Sequence, residues 1–311
     1  MVVNHTISAI LRGKWLIDKV WADAHAALIL KTIKGEQVDW GLSSEKMYRD
    51  GSAEEAPAPR KVHIMTMDEG GEVYQARPYH SADKFPYNSI VMLDITGPVL
   101  KYGDVCSYGS LDHINSINKF ASAKNIAGII LNIDSPGGQA AGTAMFANTI
   151  RKAIAQKPVI GIVQDGIAAS AAMWILSACQ EAYVTEDTDE VGSIGAYTTI
   201  MDMKGWFEQQ GVKVHEIYAP QSGDKNKDYR DAVDGNYDLV QEDLKFLVDD
   251  FIGDVKAFRG SRLREGKENP FTGKMYRADE AVKIGLIDGK KSLEQVVKRM
   301  KQLISLRQKN S

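Results

Sequence analysis

Residues 126–138 read IAGIILNIDSPGG, and this stretch decides the fold class. The first six residues form an unbroken apolar run, isoleucine-rich and too short for an ordinary helix. That pattern predicts a strand covered on both faces. Asp134-Ser135-Pro136-Gly137-Gly138 follows at once. A proline before two glycines makes a turn with unusual backbone angles. It also leaves no side chain between backbone N–H groups and a ligand, as an oxyanion hole or a peptide-binding edge requires. On this motif alone, a plain strand-to-helix turn reads equally well.

Strand and helix signals alternate outward from there. Residues 89–100 (SIVMLDITGPVL) predict a strand ended by Gly97 and Pro98. Helical spacing follows over 111–123 and 142–155. Residues 159–163 (VIGIV) predict a strand, 168–178 a helix, 181–186 (EAYVTE) a strand and 213–218 a fifth. Such alternation makes an α/β fold with a mostly parallel sheet and crossover helices. Helices are expected over 237–258, over 278–284 before Gly285, and from 293 to about 306. Residues 1–86 form an N-terminal extension, 87–300 the core domain and 301–311 a fraying tail. Within the extension, 9–33 predicts an amphipathic helix and 51–60 (GSAEEAPAPR) a linker, and Trp15, Trp21 and Trp40 imply that parts of it pack against another surface.

Of the 311 residues, 44% are hydrophobic and 25% charged, as in a globular chain. The net charge of −3 lacks the basic excess of a nucleic-acid binder. Cys106 and Cys179 make no metal spacing, and no phosphate-binding glycine loop occurs, so no metal or cofactor is expected. The acidic run 186–190 lacks His and Cys and reads as a solvated turn. Residues 158–178 approach the length of a membrane span, but Pro158, Gln164, Asp165 and Gly166 break them into strand, turn and helix. No membrane anchor is expected.

A second motif is Gly166-Ile167-Ala168-Ala169-Ser170-Ala171-Ala172-Met173. Here a serine between alanines opens a helix, where free N–H groups favour an anion. Alone it is also compatible with a helix cap. Met173 and Trp174 are read as core packing or as pocket lining. The two motifs lie in consecutive βα units, so their loops meet at one sheet edge, where such folds place ligands. Together they offer Ser170 as nucleophile, with Ala171 and Gly138 N–H groups as oxyanion donors.

IAGIILNIDSPGG, KPVIGIVQDGIAASAAMWI, EAYVTEDTDEVGSIGAY and YRADEAVKIGLID together resemble the signal peptide peptidase A (protease IV) family of serine peptidases. The resemblance spans roughly residues 87–300. It implies a crotonase/Clp protease-like core of stacked βα units, hydrolysis of a polypeptide substrate through a Ser–Lys dyad, and ring-like homo-oligomers. It carries over Ser170 as nucleophile, Gly138 and Ala171 as oxyanion donors, and Gly137, Gly192 and Ser193, with Ile194 and Gly195, as supporting loops. The serine is followed here by alanines where the family has glycines. The extension resembles soluble variants of phage and prophage head-assembly modules, which trim scaffold and capsid proteins. That implies a cytoplasmic or procapsid-associated protein.

A serine hydroxyl needs a proton acceptor. Only His215 lies downstream of Ser170, on an expected strand. The family instead places a lysine some 50 residues after the serine, in a Gly-x-x-Lys-Asp setting. Lys225 and Lys227 both approximate it, Lys225 being preferred. Two other readings remain at this point: a crotonase-type enzyme acting on an acyl thioester, and a non-catalytic assembly protein.

Overall fold

The computed structural model describes residues 14–17, 61–65, 75–78, 82, 85–103, 108–200, 202, 204–264 and 268–309. In chain order the strands are β1 (Trp15–Ile17), β2 (Lys61–Met65), β3 (Gln75–Pro78), β4 (Ser89–Thr96), β5 (Ile126–Ser135), β6 (Gly137–Gln139), β7 (Val159–Ala169), β8 (Glu181–Val184), β9 (Glu190–Gly192), β10 (Met275–Arg277) and β11 (Gly289–Lys290). The helices are α1 (Ser110–Ser122), α2 (Thr143–Ile154), α3 (Ala171–Ser177), α4 (Lys204–Gln209), α5 (Lys227–Val233), α6 (Asp238–Arg259), α7 (Ala278–Ile284) and α8 (Leu293–Lys309).

The centre is parallel: Leu93 of β4 faces Leu131 of β5, which faces Gly161 of β7. The first halves of these strands are mostly apolar because both faces are covered, and the polar Asp94, Asn132 and Gln164 of the second halves bond to one another. On one face sit Ile117, Phe120, Phe146, Ile150 and Trp174 of α1, α2 and α3. On the other, Val296, Met300 and Ile304 of α8 pack with Ile130, Ile160 and Ile162. The C-terminal helix comes so close that a Cβ on Gly128 would strike Met300 Sδ.

β7 serves two partners. Its Ile160–Val163 half pairs with β8, and its end, Ile167–Ala169, with β9. The bend lies at Asp165, at φ 48°. Gly166 N–H donates to Asp189 Oδ1 at 2.8 Å, and Asp189 Oδ2 accepts from Thr185 N–H at 2.8 Å and Glu186 N–H at 2.9 Å. The acidic run is therefore not simply a solvated turn. Asp189 is 1% exposed and staples the bend to the β8–β9 turn, because a buried carboxylate must collect donors.

Parts of residues 1–86 belong to the sheets. β2 adds antiparallel to β4 and β3 to β2, while β1 pairs with β6. Where a helix was expected over 9–33, residues 15–17 are a strand. Trp-Leu-Ile, apolar on both sides, is covered on both. Trp21, Trp40, the linker 51–60 and Cys106 lie outside the described residues.

The tail expected to fray from residue 301 is helical to Lys309, since Leu303 and Ile304 are buried and Arg307 donates to Ile154 C=O at 2.9 Å. Residues 213–218, expected as a strand, form none: no sheet edge pairs with them, and Ile217 is 92% exposed. Among the described residues, no helix is long and apolar enough to cross a membrane.

Candidate active site

β7 ends at Ala169 and α3 begins at Ala171, leaving Ser170 alone between strand and helix. It adopts φ 54° and ψ −113°. An L-residue rarely occupies that region, at a cost of about 1–3 kcal/mol, and it persists only when neighbours over-determine it. Here Ser170 N–H donates to Gly192 C=O at 2.8 Å, and Ser170 C=O accepts Trp174 N–H at 3.0 Å. The hydroxyl donates to Gly195 C=O at 3.3 Å. Ala168, Ala169, Ala171 and Ala172 are all fully buried, so larger side chains have no room around the turn. Trp174 stacks on Phe251 with centroids 4.5 Å apart, and its indole N–H donates to Asp254 at 2.9 Å. It is core packing that fixes α3 on α6.

The Pro-Gly-Gly turn stands against this serine. Ser135 directs it: its hydroxyl donates to Gly97 C=O at 2.7 Å and accepts Gly137 N–H at 3.2 Å. A Cβ on Gly137 would collide with the Leu16 and Ala169 carbonyl oxygens and stand 3.0 Å from Ser170 Cβ. Gly137 C=O accepts Val99 N–H, and Gln139 N–H donates to Val99 C=O, both at 2.8 Å. Strand alternation therefore turns the Gly138 N–H to the other edge of β6. Ala171 N–H, first in its helix, is one of the donors a helix leaves without an internal partner.

The supporting loop closes the site from a third side. Gly192, at φ 132°, could carry a Cβ only by displacing Lys274 C=O, which accepts Ser193 N–H at 2.8 Å. Gly192 and Gly195 thus offer Ser170 one carbonyl for its N–H and one for its hydroxyl.

Ser170, Gly137, Gly138, Ala171, Gly192 and Ser193 are brought together. The lysines are not. Lys225 lies exposed in a turn, and Lys227 opens α5 paired with Asp231. His215 is exposed. Among the described residues the Ser170 hydroxyl has no ionisable partner. Among the described residues burial lowers the pKa of one lysine, Lys157, to about 8, but it precedes β7, at the end away from Ser170. Its amine donates to Phe120 C=O at 2.9 Å and to Ala123 C=O, closing the end of α1. No cluster of His, Cys, Asp and Glu suited to a metal occurs among the described residues. Ser135 and Asp189 escape sequence reasoning as positioning residues. The only signal was a small polar residue before Pro136 and one acid within an acidic run.

A strained serine at a strand-to-helix turn, facing a glycine edge in a bent parallel sheet, defines a Clp protease-like α/β protein. The Clp protease family profile matches residues 96–189. The peptidase family S49 profile matches residues 151–307, half of the chain, and the chain belongs to that family. It is similar to the head-tail preconnector protein GP5 of Enterobacteria phage P21, with 34% identity over 42% of this chain and 27% of that one. It is similar also to the capsid assembly protease C of Escherichia phage lambda, with 26% identity over 69% of this chain and 48% of that one. Protease 4 of Haemophilus influenzae is 23% identical over 71% of this chain and 36% of its own length. The chain spans between 27% and 61% of the lengths of the curated relatives it matches.

Proposed function

We propose that the chain is a serine endopeptidase in which Ser170 attacks the scissile carbonyl and a lysine takes its proton. The observation that carries this reading is the juxtaposition of strained Ser170 with the Gly137–Gly138 edge. The serine ester forms as the peptide C–N bond breaks. The N–H groups of Gly138 and Ala171 hold the oxyanion, an arrangement worth about 2.7–4 kcal/mol per donor. The hydroxyl proton passes through the lysine to the leaving amine, and water then hydrolyses the ester.

The base is Lys225, with Lys227 as the alternative, supplied by a neighbouring subunit of a homo-oligomeric ring. A lysine accepts a proton only when neutral, which burial favours. In the isolated chain both side chains lie at the surface of an arm that exposes Trp206, Val212, Val214 and Ile217. Single apolar surface residues are ordinary, but a cluster this size suits an interface. Docking this arm over a second copy's Ser170 would bury both the apolar residues and the amine. One phage relative is named a capsid assembly protease and another a head-tail preconnector protein, which supports capsid-assembly proteins as the substrates of this chain.

The test is cleavage of a denatured protein by the wild type and by Ser170→Ala. The variant is expected to lose at least roughly 10⁴-fold in rate while keeping its fold. Equal cleavage by both would refute the reading.

A further inference from the structure

β1 lies where a substrate strand belongs. On one edge it pairs antiparallel with β6, Trp15 opposite Gln139, Leu16 opposite Gly138 and Ile17 opposite Gly137. On its other edge Trp15 N–H donates to Tyr197 C=O at 2.9 Å and Trp15 C=O accepts Tyr197 N–H at 3.1 Å. Tyr197 is two residues beyond Gly195, which holds the Ser170 hydroxyl. Residues 14–17 are thus threaded between the glycine turn and the supporting loop, bonded on both sides. An extended peptide docks on a sheet edge in this way.

The register selects one bond. Ala140 N–H donates to Lys14 C=O at 3.1 Å, while Trp15 turns its backbone groups to Tyr197. Alternation then turns the backbone groups of Leu16, two residues on, toward Gly138, the expected oxyanion donor. An independent measure agrees. The Cβ that Gly137 lacks would collide with Leu16 O and stand 3.0 Å from Ser170 Cβ, so serine and carbonyl flank one point. The Leu16 side chain is fully buried in the main core cluster, which also holds Val99, Ala168, Ala171 and Ala172. Trp15 and Ile17 point the other way, to Leu100 and Tyr197. Lys14 pairs with Asp243 of α6.

We propose that this chain is its own substrate, with Leu16–Ile17 the bond that Ser170 cuts and the Leu16 pocket a subsite for unbranched-β aliphatic side chains. The inference rests on the peptidase reading above. Ser170 Oγ bonds to the Leu16 carbonyl carbon and the Leu16–Ile17 C–N bond breaks. The hydroxyl proton reaches the new Ile17 amine by way of the lysine. Water then releases Leu16 as a carboxylate and restores the serine. Tethering gives the segment a high effective concentration at the site, so it is cut before, and in preference to, added protein.

The experiment incubates the full chain and reads its intact mass and N-terminal sequence beside cleavage of a denatured protein. The wild type is expected to lose residues 1–16 and begin at Ile17, and Ser170→Ala to stay whole. Leu16→Met is expected to be cut at the same bond. Leu16→Asp is expected to lose that cut and still degrade the denatured protein. A wild type that degrades the denatured protein but keeps the Leu16–Ile17 bond, or cuts itself only elsewhere, overturns the inference and leaves the peptidase reading standing. A wild type that cuts neither overturns the peptidase reading, and the inference with it.

Discussion

Gly137 lacks a Cβ at a point 3.0 Å from the Cβ of Ser170. The glycine turn and the serine turn are therefore one packed unit, and a methyl group on the first must disturb the second. Gly137 is also at φ 94°. Gly137→Ala is expected to lower stability by about 1–3 kcal/mol from backbone strain alone. It should also cost at least roughly 100-fold in cleavage by shifting the oxyanion donors. Urea unfolding and peptide hydrolysis measure the two effects, and a fully active variant would show that the turn does not meet the reaction.

If one subunit's lysine serves its neighbour's serine, two inactive proteins can repair each other. Ser170→Ala and the double variant Lys225→Ala, Lys227→Ala are each expected to be inactive. Mixed in equal amounts and reassembled, they should recover roughly a quarter of wild-type activity, since a site needs an intact serine and an intact neighbour. Mixtures that stay inactive would place the base within the same chain.

Arg259 holds the back of the fold together. Its guanidinium donates to both Asp288 oxygens, at 2.9 and 3.0 Å, and to Gly285 C=O at 3.0 Å, and its side chain is fully buried. Burial depresses its pKa, and Asp288 opposes that shift. Asp288 also accepts Ala182 N–H at 2.7 Å, tying α6 to β8. Arg259→Ala is expected to cost about 3 kcal/mol in urea unfolding, because it leaves the partly buried Asp288 carboxylate only its longer pairing with Arg262 at 3.4 Å and the Ala182 N–H. Arg259→Lys should recover little of this, lacking the planar fork.

Lys157 gives stability a pH signature. Burial lowers its pKa from 10.5 to about 8 in the folded chain. Between those values the unfolded chain binds more protons, so this residue makes folding more favourable as pH rises through that window. Below it, the cost of burying the charge is present in full. From about pH 7 to about pH 10 the wild type should gain stability relative to Lys157→Met. A relative loss over that range would contradict the assignment.

Much of this was readable in the residues. The apolar run 126–131 and the Gly285 stop at α7 are local patterns with one physical solution, and both appear where expected. Ser170 and the glycine turn were legible as a pair, because consecutive βα units bring their loops to one edge. What could not be read depends on distant partners. Trp15–Ile17 is a strand only because β6 and Tyr197 offer edges. Asp189 looks like any surface acid until the bend at Asp165 brings Gly166 N–H to it. Residues 213–218 carry strand-like residues and find no sheet edge among the described residues. Lys225 and Lys227 are not separated by the folded chain, since Lys225 lies exposed in a turn and Lys227 pairs with Asp231, both away from Ser170.

The central claim is that Ser170 carries the acyl group. Incubating the protein with an activated leucine ester, quenching in acid and mapping the digested peptides by mass tests it directly. The account predicts an added leucyl-acyl mass on the peptide containing Ser170, absent in Ser170→Ala. An adduct on another residue, or undiminished peptide cleavage by Ser170→Ala, would contradict it.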